Sequence, residues 1–548
     1  MSASLSPLSV RASFEGAHVL VTGVTGFLGK VWLGMLLHHV PNVRHVTVVI
    51  RAQKGLSARD RFERITTRSP GLRALREAYG SGLHDMLRDR VTVVEGDCGK
   101  PLCGLAPAEA DRVCRDVDLV AHFAGNTDFM ADPRGSLAAN VNGAMHAADL
   151  AARTPGRRLL HVSTCFVAGR TSGEVPEHLE PGRAPNGSPF DPSEERARLA
   201  HVCESVENRR ARINAARDRA EALGWPNIYT YTKGVAEHLL AGRQDVRCTL
   251  VRPAIVECAR TYPFEGWNEG INTSGPLVWL FSTGFRHFPS RHHHRFDVIP
   301  VDTVARSTLL VAAAALSDRA RPVYQLGSSA ENPLTFRRAI DLTNLAVRRF
   351  HGRPDARPID RWIMRHLDVL AVGADDEPTG SPPTVERLAR RARDWLGRPD
   401  LSRALPPTLH ARWGDRLEKR RSHLSKRLHE TERNMRRIGR MLDLYRPFTH
   451  DHDFVFRTDH VRELSDALVD GERGDFAFDV GSIDWRRYWL EVQVPGLEKW
   501  SLPLLRGEEI PEDPPPPARL EVAPEAGVRR PEEQEPERPR VSGEGVRP

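Results

Sequence analysis

The feature that most restricts the fold of this 548-residue chain is its passage from an apolar run into a helix through a glycine-rich turn. Ala17-His18-Val19-Leu20-Val21-Thr22 leads into Gly23-Val24-Thr25-Gly26-Phe27-Leu28-Gly29, and an apolar-faced segment follows to His39. The run is short and β-branched, as in a buried strand, and Phe27 to His39 has helical length. Strand, turn and helix in this order begin a parallel α/β sheet that holds a dinucleotide. Gly23 permits the tight turn, Gly26 lets backbone approach a diphosphate, and Gly29 lets the helix close on the strand. The spacing is G-x-x-G-x-x-G rather than G-x-G-x-x-G. Thr25, Phe27 and Leu28 lie within the turn and join its glycines as cofactor-contacting residues.

A second strand, Arg44 to Ile50, ends at Arg51 with Lys54 close by. An enzyme selecting NAD usually places a carboxylate there, on the adenosine ribose. A guanidinium suits a 2′-phosphate instead, so the sequence favours NADPH; a solvated arginine is the plainer alternative. Further strands are expected at Val91 to Val94 before Gly96-Asp97, Leu119 to Phe123 before Ala124-Gly125, Leu159 to Ser163, and Cys248 to Val251 before Arg252-Pro253. Their alternation with helical segments predicts a doubly wound parallel sheet whose ligands sit beyond the carboxyl ends of the strands. Asp97, Ala124, Gly125, Pro253 and Ile255 are therefore placed at the cofactor, although each could equally be a turn residue.

Tyr229 and Lys233 stand four apart in Pro226-Asn-Ile-Tyr-Thr-Tyr-Thr-Lys233. On a helix they share a face. A phenol exchanges protons poorly near neutrality, and a neighbouring ammonium that stabilises the phenolate lowers its pKa.

These stretches resemble the extended short-chain dehydrogenase/reductases, and within them the male-sterility-type fatty acyl-CoA reductases. The resemblance rests on Val21-Thr-Gly-Val-Thr-Gly-Phe-Leu-Gly-Lys30, His122-Phe-Ala-Gly125, His161-Val-Ser-Thr164, Tyr229-Thr-Tyr-Thr-Lys233, Val251-Arg-Pro253, Pro263-Phe-Glu-Gly-Trp267 and Val298-Ile-Pro-Val-Asp302. Farther on it includes Val323 to Ser329 and Phe478-Asp-Val-Gly-Ser-Ile-Asp-Trp485. It implies a catalytic set of Tyr229, Lys233, Thr164 and Ser163. Tyr229 would donate a proton, Lys233 would bind the nicotinamide ribose and depress the tyrosine pKa, and Thr164, assisted by Ser163, would hold the substrate oxygen. The implied reaction is NADPH-dependent reduction of a long-chain acyl-CoA, or acyl-carrier protein, through the aldehyde to a primary alcohol. Release at the aldehyde, a sugar-nucleotide epimerase or dehydratase, and a non-catalytic NADP-binding redox sensor are the alternatives. Gly125 and Asn126 stand where the family has small apolar residues, and a charged segment from Gly182 to Trp225 precedes Tyr229. That segment is read as a packing element or a solvent-facing lid.

The remaining features bound the surroundings of this site. Seven cysteines, an odd number without a C-x-x-C pair, suit a reducing, cytoplasmic compartment. Cys165 adjoins Thr164 but should point to the opposite face of its strand. His292-His293-His294 lacks zinc-site spacing, so no metal is expected; a basic loop for coenzyme A phosphates and a solvated loop both remain open. Ala411 to Arg440 carries eleven Lys or Arg and four Asp or Glu, which matches the net +7 of the whole chain. Over 411–442 its apolar residues recur at helical spacing, so it reads as a surface helix packed on the core or as a peripheral contact with an anionic membrane. No nucleic-acid motif accompanies the charge. The expected divisions are a flexible N-terminus at 1–14, a reductase domain at 15–350 with a substrate-binding part at about 256–300, a helical C-terminal domain at 351–507 and a disordered tail at 508–548. Oligomeric state is not fixed by the sequence.

Overall fold

Seven short, largely β-branched runs become the strands β1 (His18–Thr22), β2 (His45–Ile50), β3 (Val91–Glu95), β4 (Leu119–His122), β5 (Arg158–Val162), β6 (Arg247–Pro253) and β7 (Val323–Leu326). All pair in parallel, in the order β7-β6-β5-β4-β1-β2-β3. Helices on both faces complete a doubly wound α/β fold, the class the alternation of elements predicts. The computed structural model describes residues 6–270, 275, 280, 287–350, 369–373, 382–396, 407–505, 507–510 and 512–513.

The strand order reverses between β1 and β4, so the loops leaving these strands diverge and open a crevice. Register places the contents of that crevice. Thr22 pairs with His122, and Val162 with Val251. The glycine turn, Phe123 to Asn126, and Ser163-Thr164 therefore emerge at one edge of the sheet.

Seven helices matter here: α1 (Phe27–His39), α2 (Pro192–Ser205), α3 (Arg209–Ala222), α4 (Ile228–Ala241), α5 (Val301–Leu316), α6 (Pro382–Leu396) and α7 (Pro407–Arg446). The charged stretch between Gly182 and Trp225 is the packing element of the two readings. Leu199 of α2 and Ile213 and Ala216 of α3 bury against Trp225, Tyr231 and Val235. Tyr231 donates to Glu195 Oε2 at 2.9 Å, which pins α4 to α2.

The described residues form one compact unit. The sequence leaves 1–14 flexible, yet from residue 6 onward the chain is anchored. Val10 and Phe14 are fully buried, and Ser9 Oγ and the Val10 amide donate to Glu472 at 2.7 and 2.5 Å. A carboxylate over 460 positions away satisfies this short helical turn, which no local pattern reveals. At the other end the assigned tail begins inside the ordered unit, because Asp513 accepts from Arg73 Nε at 3.0 Å and also pairs with Arg76. Residues 514–548 lie outside the described residues, as do 271–274, 276–279 and 281–286 of the expected substrate-binding part.

The basic stretch is helical throughout α7, which spans about 60 Å at 1.5 Å per residue. Among its described side chains, the apolar stripe enters the core toward the C-terminal end. Ile438 and Leu442 are buried, whereas Leu424 is 47% exposed. Along α6, Arg390 and Arg393 pair with Glu432 of α7. Among the described residues no helix is long and apolar enough to cross a membrane.

Candidate active site

The glycine turn is built as its spacing requires. Gly23 has φ +80°, and a Cβ there would meet the Ala124 backbone nitrogen at 2.4 Å. A Cβ on Gly29 would meet the Gly23 carbonyl oxygen at the same distance, so neither position accepts a side chain. Gly26 differs. It caps α1 without a side-chain bond to the helix amides, and a Cβ there would touch only Gly23 O at 3.4 Å. Packing alone does not demand glycine at 26, whereas close approach of an anion to bare helix N-terminal amides does. The residues present therefore fit a dinucleotide diphosphate.

At the carboxyl ends of β2 and β3, the Arg51 guanidinium lies 3.9 Å from the Asp97 carboxylate, and the Arg51 side chain is 58% exposed. Asp97 itself accepts from the Gly99 amide at 3.0 Å. Lys54 is exposed on the turn beyond β2, with φ 53°. Thr25, Phe27 and Leu28 are half-buried around the turn, and Pro253, the last residue of β6, and Ile255 are buried.

Asn227 caps α4, accepting from the Thr230 amide at 2.9 Å, and thereby sets the first turn that carries Tyr229. Lys233 follows one turn later. Its amine is buried and donates to the Val162 carbonyl at 2.8 Å. Burial lowers the Lys233 pKa to about 8, against the opposing pull of Glu237. For Tyr229 the outcome reverses the expectation of a depressed pKa. Burial raises the phenol to about 12, and the relief comes from a hydrogen bond with Thr164 rather than from the lysine. The Lys233 amine is committed to a strand carbonyl, and desolvation outweighs charge.

The two candidate hydroxyls have different surroundings. Thr164 Oγ1 donates to the Pro253 carbonyl at 3.4 Å and accepts from the Phe166 amide at 3.3 Å. Ser163 Oγ is buried and has no hydrogen-bond partner among the described residues. Cys165 lies beyond the end of β5 as the first residue of a 3₁₀ turn, so the alternation of a strand does not set its direction. Its thiol bonds the Arg252 carbonyl at 2.8 Å and burial raises its pKa, the reverse of what a nucleophile needs. The histidine run is divided: His292 and His293 are exposed and His294 is buried. All seven cysteines are free.

Three features escaped the sequence reading. Asn140 is fully buried in a π-helical turn, Leu137–Asn142. It accepts from the Asn126 amide at 2.7 Å and donates to Thr232 Oγ1 at 3.0 Å. A Cβ on Gly125 would lie 3.2 Å from both Asn140 Oδ1 and Lys233 Nζ, so a side chain at 125 would crowd both groups. A lone amide within Leu-Ala-Ala-Asn-Val was the available signal. Beneath the site His122 and His161 stack at 5.3 Å and 17°. Burial and then the Lys233 charge push both pKa values down, His122 to about 3, so both rings are neutral. The third feature is an aromatic group around Tyr229, beginning with Phe129.

A glycine-lined diphosphate cradle at the switch point, with a tyrosine and lysine one helical turn apart beside it, defines a nicotinamide-dependent reductase of the short-chain dehydrogenase type. Sequence comparison narrows the class. The male sterility protein family matches this chain twice, over residues 21–308 and 421–503, and the chain belongs to that family. Similar proteins include "Fatty acyl-CoA reductase 2, chloroplastic" of Arabidopsis thaliana, 26% identical over 90% of this chain and 79% of that protein. "Alcohol-forming fatty acyl-CoA reductase" of Simmondsia chinensis is 26% identical over 89% and 98%. "Probable fatty acyl-CoA reductase 5" of Arabidopsis thaliana is 30% identical over 61% and 71%. Among solved structures, the reductase domain of a non-ribosomal peptide synthetase from Mycobacterium tuberculosis superposes over 92% of this chain and 94% of its own. Its TM-score is 0.49 and its identity 16%.

Proposed function

We propose that this protein reduces a long-chain fatty acyl-CoA thioester with NADPH, through the aldehyde, to a primary alcohol. The hydrogen bond between Tyr229 and Thr164, one helical turn from a buried Lys233, supports the reading, in a chain that matches acyl-CoA reductases along most of its length. NADPH, when bound, supplies the hydride.

The chain's own residues handle charge. Reduction of a thioester carbonyl develops an oxyanion, and donors preorganised in a site shielded from water stabilise it. With a pKa raised to about 12, Tyr229 is a protonated donor at neutral pH. Ser163, whose buried hydroxyl has no partner among the described residues, would assist at the same oxygen. Lys233 and the edge at Gly125 hold the ribose side. Coenzyme A leaves as the thiol, and the aldehyde oxygen meets the same donors in the second reduction. Arg51 at the end of β2 supports a 2′-phosphate and hence NADPH over NADH.

Long-chain substrates partition into membranes, and the packed pair α6 and α7 suits a cytoplasmic protein that docks peripherally on an anionic bilayer. Leu388 and Trp395, seven apart on α6, and Leu424 are about half exposed among arginines and lysines. Co-sedimentation with phosphatidylglycerol vesicles tests this contact, and equal binding to neutral vesicles argues against it.

The enzymatic test is NADPH oxidation by the purified protein with palmitoyl-CoA, with products identified by mass and Tyr229→Phe run in parallel. Hexadecanol formed with two NADPH per thioester, and lost in the variant, supports the whole reading. Aldehyde as the sole product shortens the reaction, and no oxidation with any acyl thioester removes the substrate assignment.

A further inference from the structure

The ring of Tyr229 is covered by a second ring. Phe129, from the loop after β4, stacks on it with centroids 5.8 Å apart and planes 20° from parallel. Phe129 in turn lies 5.9 Å from Tyr445, in the last turn of α7, and 5.7 Å from Phe448 just beyond it. Phe448 meets Phe166 edge-on at 5.0 Å, and Phe166 sits two residues past Thr164. Segments more than 300 positions apart thus meet over the proton donor.

This wall is apolar but not sealed. Phe448 is buried, Phe129 is half-buried, and the adjoining Met130 is 42% exposed. An aromatic surface that starts on a catalytic ring and continues to exposed methionine is unfavourable in water, and it suits an apolar ligand. A sugar would require convergent polar partners instead. The carbonyl oxygen of any substrate must reach the Tyr229 hydroxyl, which places the carbons next to that carbonyl beside the rings that flank the hydroxyl.

The geometry points to Phe129, Tyr445 and Phe448 as the wall that receives the first part of the acyl chain, which makes the end of α7 a determinant of chain-length selectivity. The inference rests on the acyl-thioester reading above. It adds that selectivity is set jointly by the β4 loop and the C-terminal region.

The test uses the full-length protein and compares kcat/KM for hexadecanoyl-CoA and octanoyl-CoA in wild type, Phe129→Leu, Phe448→Leu and Phe454→Leu. Phe454 packs on Phe166 at 5.6 Å, so it serves as a control for general loosening of the aromatic group. Leucine at 129 or 448 is expected to reduce the preference for the longer chain about tenfold, since lost pocket contacts of this size change selectivity by that order. Leucine at 454 should leave the preference unchanged. Unaltered preference in both wall variants, or an equal change at 454, overturns the proposal. Phe129 is half-buried, so its variant reports even if Phe448→Leu misfolds. Should the wild type turn over no acyl-CoA, the substrate reading fails separately, and displacement of a fluorescent fatty acid by hexadecanoic acid decides the wall. About tenfold weaker binding in Phe129→Leu supports it, and unchanged binding overturns it.

Discussion

Lys233→Met isolates the energetic cost of placing an ammonium under the site. The folded lysine has a pKa of about 8 against an ordinary 10.5, with burial as the leading cause. Because the folded form loses its proton first, the unfolded chain binds more protons between these values, and stability rises with pH through that window. The penalty is fully present below pH 8 and is relieved as pH approaches 10.5. For this shift linkage gives about 3.4 kcal/mol of penalty at pH 7 and about 1.4 kcal/mol at pH 9.5. Methionine fills similar space without charge but abandons the bond to Val162 O, which costs about 1 kcal/mol. The variant should therefore be about 2 kcal/mol more stable than wild type at pH 7, with that advantage shrinking by about 2 kcal/mol at pH 9.5. Urea unfolding of both proteins at both pH values measures the double difference, in which every other titrating group cancels. A difference that does not move with pH would refute the displaced pKa, and with it the claim that desolvation dominates at this lysine.

Other perturbations address separate parts of the site. Gly23→Ala would force a Cβ to within 2.4 Å of the Ala124 nitrogen at φ +80°, and should cost about 3 kcal/mol or more together with NADPH binding, read by thermal shift with and without cofactor. Arg51→Ala should weaken NADPH about tenfold or more while sparing NADH, measured as the ratio of their dissociation constants. Ser163→Ala removes an unpartnered hydroxyl, so stability should stay within about 0.5 kcal/mol while kcat falls about 100-fold. Thr164→Val breaks two backbone contacts and should cost about 1–2 kcal/mol.

What the sequence discloses about this protein follows the range of its interactions. The turn at Gly23 to Gly29 and the pair Tyr229 and Lys233 are local patterns whose meaning depends on a few neighbouring residues, so strand, turn and helix appear where the spacing places them. The carboxyl ends of the strands follow from the same periodicity. The anchoring of Val10 by Glu472, the contact of Asn140 with Asn126 and Thr232, and the meeting of Phe129 with Tyr445 depend on chain segments that come together only in the fold. The phenol pKa belongs with these. A tyrosine and a lysine at i and i+4 suggest mutual stabilisation of charge, but burial is a property of everything packed around them.

That burial also gives the site a direction. It raises the phenol to about 12 and lowers the amine to about 8, so at pH 7 Tyr229 is neutral and Lys233 is charged. A neutral phenol can give a proton to a carbonyl oxygen as it is reduced, whereas oxidation of an alcohol requires the phenolate. At pH 7 the phenolate fraction is only about one in 100,000. Reduction should thus vary little between pH 6 and 7.5, while oxidation of a primary alcohol with NADP+ should rise about tenfold per pH unit over the same range. Initial rates in both directions across that range provide the check. A reverse rate independent of pH would mean that the phenol is already ionised near neutrality, and that charge rather than desolvation governs the tyrosine.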